Sequence, residues 1–199
     1  GAYEYGTSNV GSVYTFIPTI GTFSNIYAQS APPVILPTVW TQQAKLTPYD
    51  PSTNAYFGRA VSISGDYAIV GASRDDTPGG TDAGSAYIFV RSGTSWTLQQ
   101  KLIGSYLQAY DNFGISVSID GDYAVIGAYE KDIVSSVDAG VVYVFVRSGT
   151  TWSQQAILFA SDRSSGDRFG KSVSISGNYL IVGAYYEDPN GVSGAGSAY

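Results

Sequence analysis

Short stretches in which apolar and polar residues alternate recur along this chain. Residues 59–64 alternate polar and apolar side chains, which is the period of a half-buried β-strand. After a two-residue turn, residues 67–70 form an almost wholly apolar run, as expected of a strand that is covered on both faces. Residues 84–91 and 96–102 continue the series, separated by a second tight turn. The pattern predicts a unit of four antiparallel strands, with residues 96–102 as a half-solvated outer strand.

This unit is repeated every 56 residues. Each copy opens with Phe-Gly, at Phe57, Phe113 and Phe169, and continues as AVSISGDYAIVGAS, SVSIDGDYAVIGAY and SVSISGNYLIVGAY. A fixed period of this kind indicates one supersecondary unit stacked on copies of itself. Four-stranded antiparallel units of this length, with no helix between them, are typical of β-propeller blades. A long meandering sandwich is the alternative architecture.

We therefore predict an all-β protein, a β-propeller of four-stranded antiparallel blades with about 3.5 blades in this chain. Residues 1–56 form a partial first blade that carries a Pro-rich insert at about residues 17–38, which we interpret as an extended connector. The second blade spans residues 57–112, the third spans 113–168, and a truncated fourth spans 169–199. Strand edges left open by the partial blades are expected to pair with more chain or with another copy of the protein.

Composition removes several classes of function. The chain has 16 acidic and 10 basic residues, a net charge of −6, and no basic stripe, so a nucleic-acid partner is not expected. It contains no cysteine and no histidine, which excludes disulfides, Cys or His metal sites, and the usual triads of nucleophilic enzymes. No run of 18 apolar residues occurs, so no membrane span is expected in this segment. We expect a protein that is not an enzyme.

The repeated phrase Phe-Gly-x-Ser/Ala-Val-Ser-Ile-x-Gly-Asp/Asn-Tyr, followed by Gly-Ala and then by Ala-Gly-x-x-Tyr-x-Phe, resembles the FG-GAP repeat. That repeat builds the seven-bladed propellers of integrin alpha subunits and of many surface proteins. The resemblance implies that this chain is part of a larger, seven-bladed propeller, that it is extracellular or at the cell surface, and that it serves adhesion or recognition. The calcium loop that integrin-type repeats often carry between strands one and two is absent, because that connection is a tight turn, as at residues 64–67.

Most of the acidic residues fall in the connections after strands two and four, which antiparallel order places at one end of the blades. Aspartates six residues apart in Gly-rich loops are permissive for an oxygen-ligated cation, and calcium is the expected ion. The candidate metal ligands are Asp76, Asp82, Asp132, Asp138 and Asp188. The candidate ligand-facing residues at the same end are Asp75, Glu130, Glu187, Asp111 and Asp167. The alternative is that these aspartates stabilise turns by bonding to their own backbone.

The predicted function is a non-enzymatic extracellular or cell-surface module for adhesion to, or recognition of, a protein or a glycan through the acidic face. Two alternatives remain open at this point. One is a structural subunit of an extracellular filament or matrix, in which copies of the chain pair through open blade edges. The other is a calcium-dependent, lectin-like binder.

Overall fold

The computed structural model describes residues 11–20 and 38–199, which form thirteen β-strands in four antiparallel sheets. Blade 1 contains β1 (Val13–Ile20) and β2 (Thr38–Leu46). Blade 2 contains β3 (Phe57–Ser64), β4 (Tyr67–Ala72), β5 (Ser85–Ser92) and β6 (Ser95–Leu102). Blade 3 contains β7 (Ser116–Asp120), β8 (Tyr123–Ala128), β9 (Val141–Ser148) and β10 (Thr151–Leu158). Blade 4 contains β11 (Phe169–Ser176), β12 (Tyr179–Ala184) and β13 (Ser197–Ala198).

Strand order within the complete sheets follows the chain, β3-β4-β5-β6 and β7-β8-β9-β10, and every neighbouring pair is antiparallel. The first strands of successive blades, β3, β7 and β11, contact one another, so the blades stack with these strands innermost. The prediction of an all-β fold built from propeller blades is confirmed. The seven-bladed context stays a prediction. Among the described residues, the 3₁₀ turn Pro189–Gly191 is the one helical element, and no helix there has the length and apolarity to cross a membrane.

The repeated Phe-Gly and the repeated glycine at the start of the third strand meet across each blade interface. An atom in the Cβ position of Gly84 would lie 2.0 Å from the carbonyl oxygen of Phe113, and one on Gly140 would lie 2.1 Å from that of Phe169. Both glycines also have positive φ angles, which favour glycine. Backbone therefore packs directly on backbone, which explains why the spacing of these residues is fixed from copy to copy.

The repeated phenylalanines fill the apolar core beside this contact. Phe113 is fully buried among the alanines Ala83 and Ala86 of blade 2 and the apolar residues of blade 3. Its ring lies edge-to-face on Tyr143 at a centroid distance of 5.1 Å, and Phe57 and Tyr87 repeat the arrangement at 5.3 Å. The geometry is that of a packed core rather than of exposed binding aromatics.

Each outer strand carries a β-bulge that the alternation did not predict. In blade 2, Phe89 pairs with Leu98 and Ile88 pairs with Gln100, so Gln99 is the extra residue. The carboxamide oxygen of Gln99 accepts a 2.8 Å hydrogen bond from the indole N–H of Trp152 in the next blade. The periodic tryptophan and the glutamine thus link neighbouring blades. The bulge also reverses the facing of the residues that follow it, and the side chain of Lys101, two residues later, is 14% exposed.

Two sequence-based boundaries change. The insert was placed at about residues 17–38, but residues 17–20 continue β1 and Thr38 begins β2, so the hairpin strands are longer than predicted. Pro18 lies within β1 opposite Trp40. The rest of the insert, residues 21–37, and the strand expected at residues 1–4 lie outside the described residues.

Candidate ligand-binding face

The connections after the second and fourth strands meet at one end of the blades, which we call the loop face. The backbone N–H of Phe113, after a fourth strand, donates to the carbonyl of Ala83, after a second strand, at 2.9 Å. Phe169 and Ala139 repeat this bond at 2.9 Å. The connections of the loop face span residues 47–56, 73–84, 103–115, 129–140, 159–168 and 185–196. The predicted gathering of these loops at one end is therefore observed.

The candidate metal aspartates close turns. The carboxylate of Asp76 accepts a 2.9 Å hydrogen bond from the N–H of Asp82, and Asp132 accepts one of 2.8 Å from Asp138. In blade 4 the carboxylate of Asp188 accepts a 2.6 Å bond from Gly194, again six residues ahead. The residue that donates its N–H has a φ of +52°, +51° and +64° in the three blades, which suits Asp or Gly. The spacing of six residues thus has a structural cause.

These hydrogen bonds bear on the predicted calcium site. Each of the three loops uses one carboxylate oxygen to hold its own backbone. Within residues 11–20 and 38–199, no three acidic side chains are grouped closely enough to hold a metal ion. Burial, followed by the charges of Glu130 and Asp132, raises the pKa of Asp138 above its ordinary value. Calcium binding stays a prediction, and its ligands would have to include backbone carbonyls or water.

Asp75 lies inside the protein rather than on a ligand-facing surface. It is 2% exposed, and its carboxylate lies 2.7 Å from the ammonium of Lys101. It also accepts hydrogen bonds from the hydroxyls of Ser85 at 2.6 Å and Tyr87 at 3.3 Å. Lys101 makes a second contact of 2.6 Å with Asp50 in the preceding connection. This buried network fills the loop end of blade 2, because a buried charge must be paired and hydrogen-bonded.

The same position has the opposite charge in blade 3. Lys131 replaces the acid there, is buried, and lies 3.1 Å from the buried carboxylate of Asp111. In blade 4 the position returns to an acid, Glu187, which accepts a hydrogen bond from Ser197. Asp167 is also buried and accepts the N–H of Ser164 at 2.5 Å.

Of the five predicted ligand-facing residues, three are therefore corrected to interior positions: Asp75, Asp111 and Asp167. Each of them closes a loop or an ion pair, which requires the carboxylate to point inward. Glu130 and Glu187 are half-buried. Glu130 accepts a 2.6 Å hydrogen bond from the side chain of Asn112.

An open cavity of about 600 Å³ marks the loop end of blade 3. Ile157 and Tyr106 stand there at the repeat positions that Lys101 and Asp50 occupy in blade 2. Because blade 3 lacks the counterpart of the ion pair between Lys101 and Asp50, the space is lined mainly by apolar side chains and opens to solvent. The lining includes Leu107, Ile133, Val141, Tyr143, Ile157 and Phe159. Sequence reasoning missed this cavity. The signal in the sequence was that the repeat of blade 3 has Tyr106 and Ile157 where the repeat of blade 2 has Asp50 and Lys101.

The model of the FG-GAP repeat family matches the chain three times, at residues 40–89, 96–145 and 152–199. Each matched segment begins at the outer strand of one blade and ends in the third strand of the next. The matched unit therefore crosses a blade interface. It includes the tryptophan that bonds to the preceding blade, whereas each contact of glycine with phenylalanine, such as that of Gly84 with Phe113, joins two matched segments. No curated protein matches the chain.

Proposed function

Because the chain belongs to the FG-GAP repeat family, we propose that it is a non-enzymatic recognition module, extracellular or at the cell surface, that binds a ligand through its loop face. Repeats of this family form propeller-type modules that are often extracellular. A fold shared by many functions does not name a ligand, so the proposal rests on the features of the face itself.

The observation that carries the proposal is the cavity of blade 3. Its rim includes Val134, which is 90% exposed, Tyr106, which is 84% exposed, and the half-exposed ring of Phe159. Exposed apolar residues around a concave, apolar space are the common form of a binding site. In blade 2, the paired side chain of Lys101 occupies the equivalent space. Blade 3 has Ile157 at that position, and the space is open.

Charge at the rim favours a protein segment as the occupant. The buried ammonium of Lys131 is already paired with Asp111, while the carboxylate of Asp132 is exposed at the cavity. The whole chain carries a net charge of −6. A peptide that places an aromatic or aliphatic side chain in the cavity and a Lys or Arg beside Asp132 would satisfy both features.

An enzymatic role has little support in the side chains available. The sequence has no histidine or cysteine. The acids of the loop face that could act as proton donors are engaged in structural bonds, as Asp75 is with Lys101 and Asp76 is with the backbone of Asp82. To take part in proton transfer, these carboxylates would have to leave the contacts that hold the loops.

Selection from a displayed library of random peptides tests the proposal. We expect the enriched peptides to combine a large apolar side chain with a neighbouring Lys or Arg. Changing Val134→Arg at the rim should weaken their binding at least about tenfold, since it blocks the cavity and repels the cation. Tyr106→Ala should act in the same direction.

The matched control is Tyr179→Ala, because Tyr179 is also 84% exposed but lies at the opposite end of its blade. This variant should bind the selected peptides as the unchanged protein does. Peptides that tolerate Val134→Arg, or that are lost equally with Tyr179→Ala, would show that the cavity is not the binding site.

A further inference from the structure

Cations gather at the inner edge of the loop face although the chain is acidic. Arg59 is the third residue of the innermost strand of blade 2, and Lys171 occupies the same position in blade 4. Arg59 and Arg74 lie over the ring of Tyr56. Arg168 and Lys171 both lie within 6 Å of the ring centres of Tyr129 and Tyr185, so these two cations share one set of rings.

Tyrosine rings surround two of these cations. The ammonium of Lys171 lies 3.7 Å from the centre of the Tyr129 ring. The guanidinium of Arg168 lies 4.9 Å from the centre of the Tyr186 ring and donates a 2.8 Å hydrogen bond to the hydroxyl of Tyr185. The ring centres of Tyr185 and Tyr186 are 4.4 Å apart with the ring planes tilted by 56°, and the two residues are 43% and 51% exposed. We call these five residues the cation–tyrosine cluster.

These cations have no carboxylate in direct contact among the described residues. Within the described ranges, Arg59, Arg168 and Lys171 form no ion pair. Burial, followed by the charge of Arg59, lowers the pKa of Lys171 below its ordinary value. Burial, followed by the adjacent Glu130, raises the pKa of Tyr129 to about 12, so its phenol stays neutral and supplies no negative charge. Among the described residues, the charge of Glu130 acts on both Arg168 and Lys171, but no carboxylate occupies their hydrogen-bond donors.

We propose that the cation–tyrosine cluster binds the anionic group of an acidic sugar, either a carboxylate or a sulfate. The anion would lie between Lys171 and Arg168, where charge-assisted hydrogen bonds are available from both. The adjoining rings of Tyr185 and Tyr186 would pack against the C–H face of the sugar ring. An acidic peptide offers the same charge but no such face, and the paired rings favour the sugar.

This site deepens the proposed function, since it lies on the same loop face, but it uses none of the residues that line the cavity of blade 3. The two sites can therefore fail separately. Loss of acidic-sugar binding with peptide selection intact would overturn only the cluster. Loss of both would remove the loop face as a recognition surface.

The test is a calorimetric titration with three probes: a galacturonate oligosaccharide, its neutral methyl ester, and a sulfated oligosaccharide of similar length. We expect at least one acidic probe to bind and the ester to bind at least about tenfold more weakly. Preference between carboxylate and sulfate identifies the source of the anion. Binding should weaken with added salt, because the cluster is partly exposed.

Variants locate the site. Lys171→Gln should weaken binding of the acidic probe at least about tenfold, and Arg59→Gln, an exposed position with little risk to the fold, should act in the same direction. Arg91→Gln is the matched control, because it removes a cation from the opposite end of the sheet. Equal losses in all three variants, equal binding of the ester, or binding of neither acidic probe would each overturn the proposal.

Discussion

Replacement of Lys101 by methionine should destabilise blade 2 strongly. The side chain of Lys101 is 14% exposed, and its ammonium contacts Asp50 at 2.6 Å and the buried Asp75 at 2.7 Å. Methionine keeps most of the volume of the stem but leaves the carboxylate of Asp75 without its cation. Removing one partner of a buried ion pair costs about 3–5 kcal/mol, because the remaining charge is buried and uncompensated.

Thermal and denaturant unfolding measure the effect. For a chain of this size, a loss of about 3–5 kcal/mol lowers the melting temperature by roughly 6–20 °C. Burial opposes the charge on Lys101, but hydrogen bonds to Asp50 and Asp75 outweigh it and raise the pKa of Lys101 above its ordinary value. A raised lysine pKa contributes stability that is fully present below the unfolded pKa of about 10.4. The difference from the unchanged protein should therefore persist from neutral pH to about pH 10 and shrink above it.

Arg91→Met is the matched control. Arg91 also pairs with an aspartate, Asp66, at 2.5 Å, but both side chains are exposed. An exposed pair contributes about 0–1 kcal/mol, so this variant should melt close to the unchanged protein. Adding Asp75→Asn to Lys101→Met should recover part of the loss, because it removes the stranded charge. A Lys101→Met variant that loses less than about 1 kcal/mol, or no more than Arg91→Met, would refute the reasoning.

Three further predictions concern other parts of the chain. Gly140→Ala should lower the free energy of unfolding by at least about 3 kcal/mol more than Gly149→Ala. Both glycines have positive φ, but a Cβ atom would meet backbone within 3 Å only at Gly140. Denaturant unfolding compares the two variants, and equal losses would contradict the packing of backbone on backbone at Gly140. Lys171→Met should raise the free energy of unfolding at pH 7, because the lowered pKa of Lys171 means that its charge opposes folding. The gain should fade as the pH rises through the lowered pKa of the folded protein toward the unfolded value of about 10. A gain that grows with pH would contradict the direction of the pKa shift. Millimolar calcium should raise the melting temperature, Asp132→Ala should reduce the rise because it removes one of three equivalent carboxylates, and a chelator should reverse it; unchanged melting would exclude the ion.

The blades were predictable because their signals are local. Alternation along β3 and the glycine turn after it depend on residues that are neighbours in sequence, and the 56-residue period multiplied the signal. The bulge at Gln99 was not predictable in this way, since the identity of an extra residue depends on the register with β5. Alternation within a half-solvated outer strand therefore did not reveal that the side chain of Lys101 is nearly buried.

The candidate site was predicted less well than the fold. The sequence placed the acidic residues at the loop end of the blades. It did not distinguish the carboxylates that accept backbone hydrogen bonds from those that are exposed to solvent. Asp75 and Lys131 occupy the same repeat position with opposite charge, which is a signal of internal pairing that the count of acids obscured. The placement of Arg168 and Lys171 over Tyr129 depends on how blades 3 and 4 stack, and no spacing in the sequence shows it.

The contact between Gly84 and Phe113 has a consequence for the order of events during synthesis. The receiving glycine always precedes its phenylalanine in the chain, as Gly140 precedes Phe169. During synthesis, the glycine side of each blade contact therefore leaves the ribosome before the phenylalanine that packs on it. We expect the protein to assemble by templated addition from the amino end, so that a newly emerged blade meets a finished neighbour instead of waiting for a distant partner.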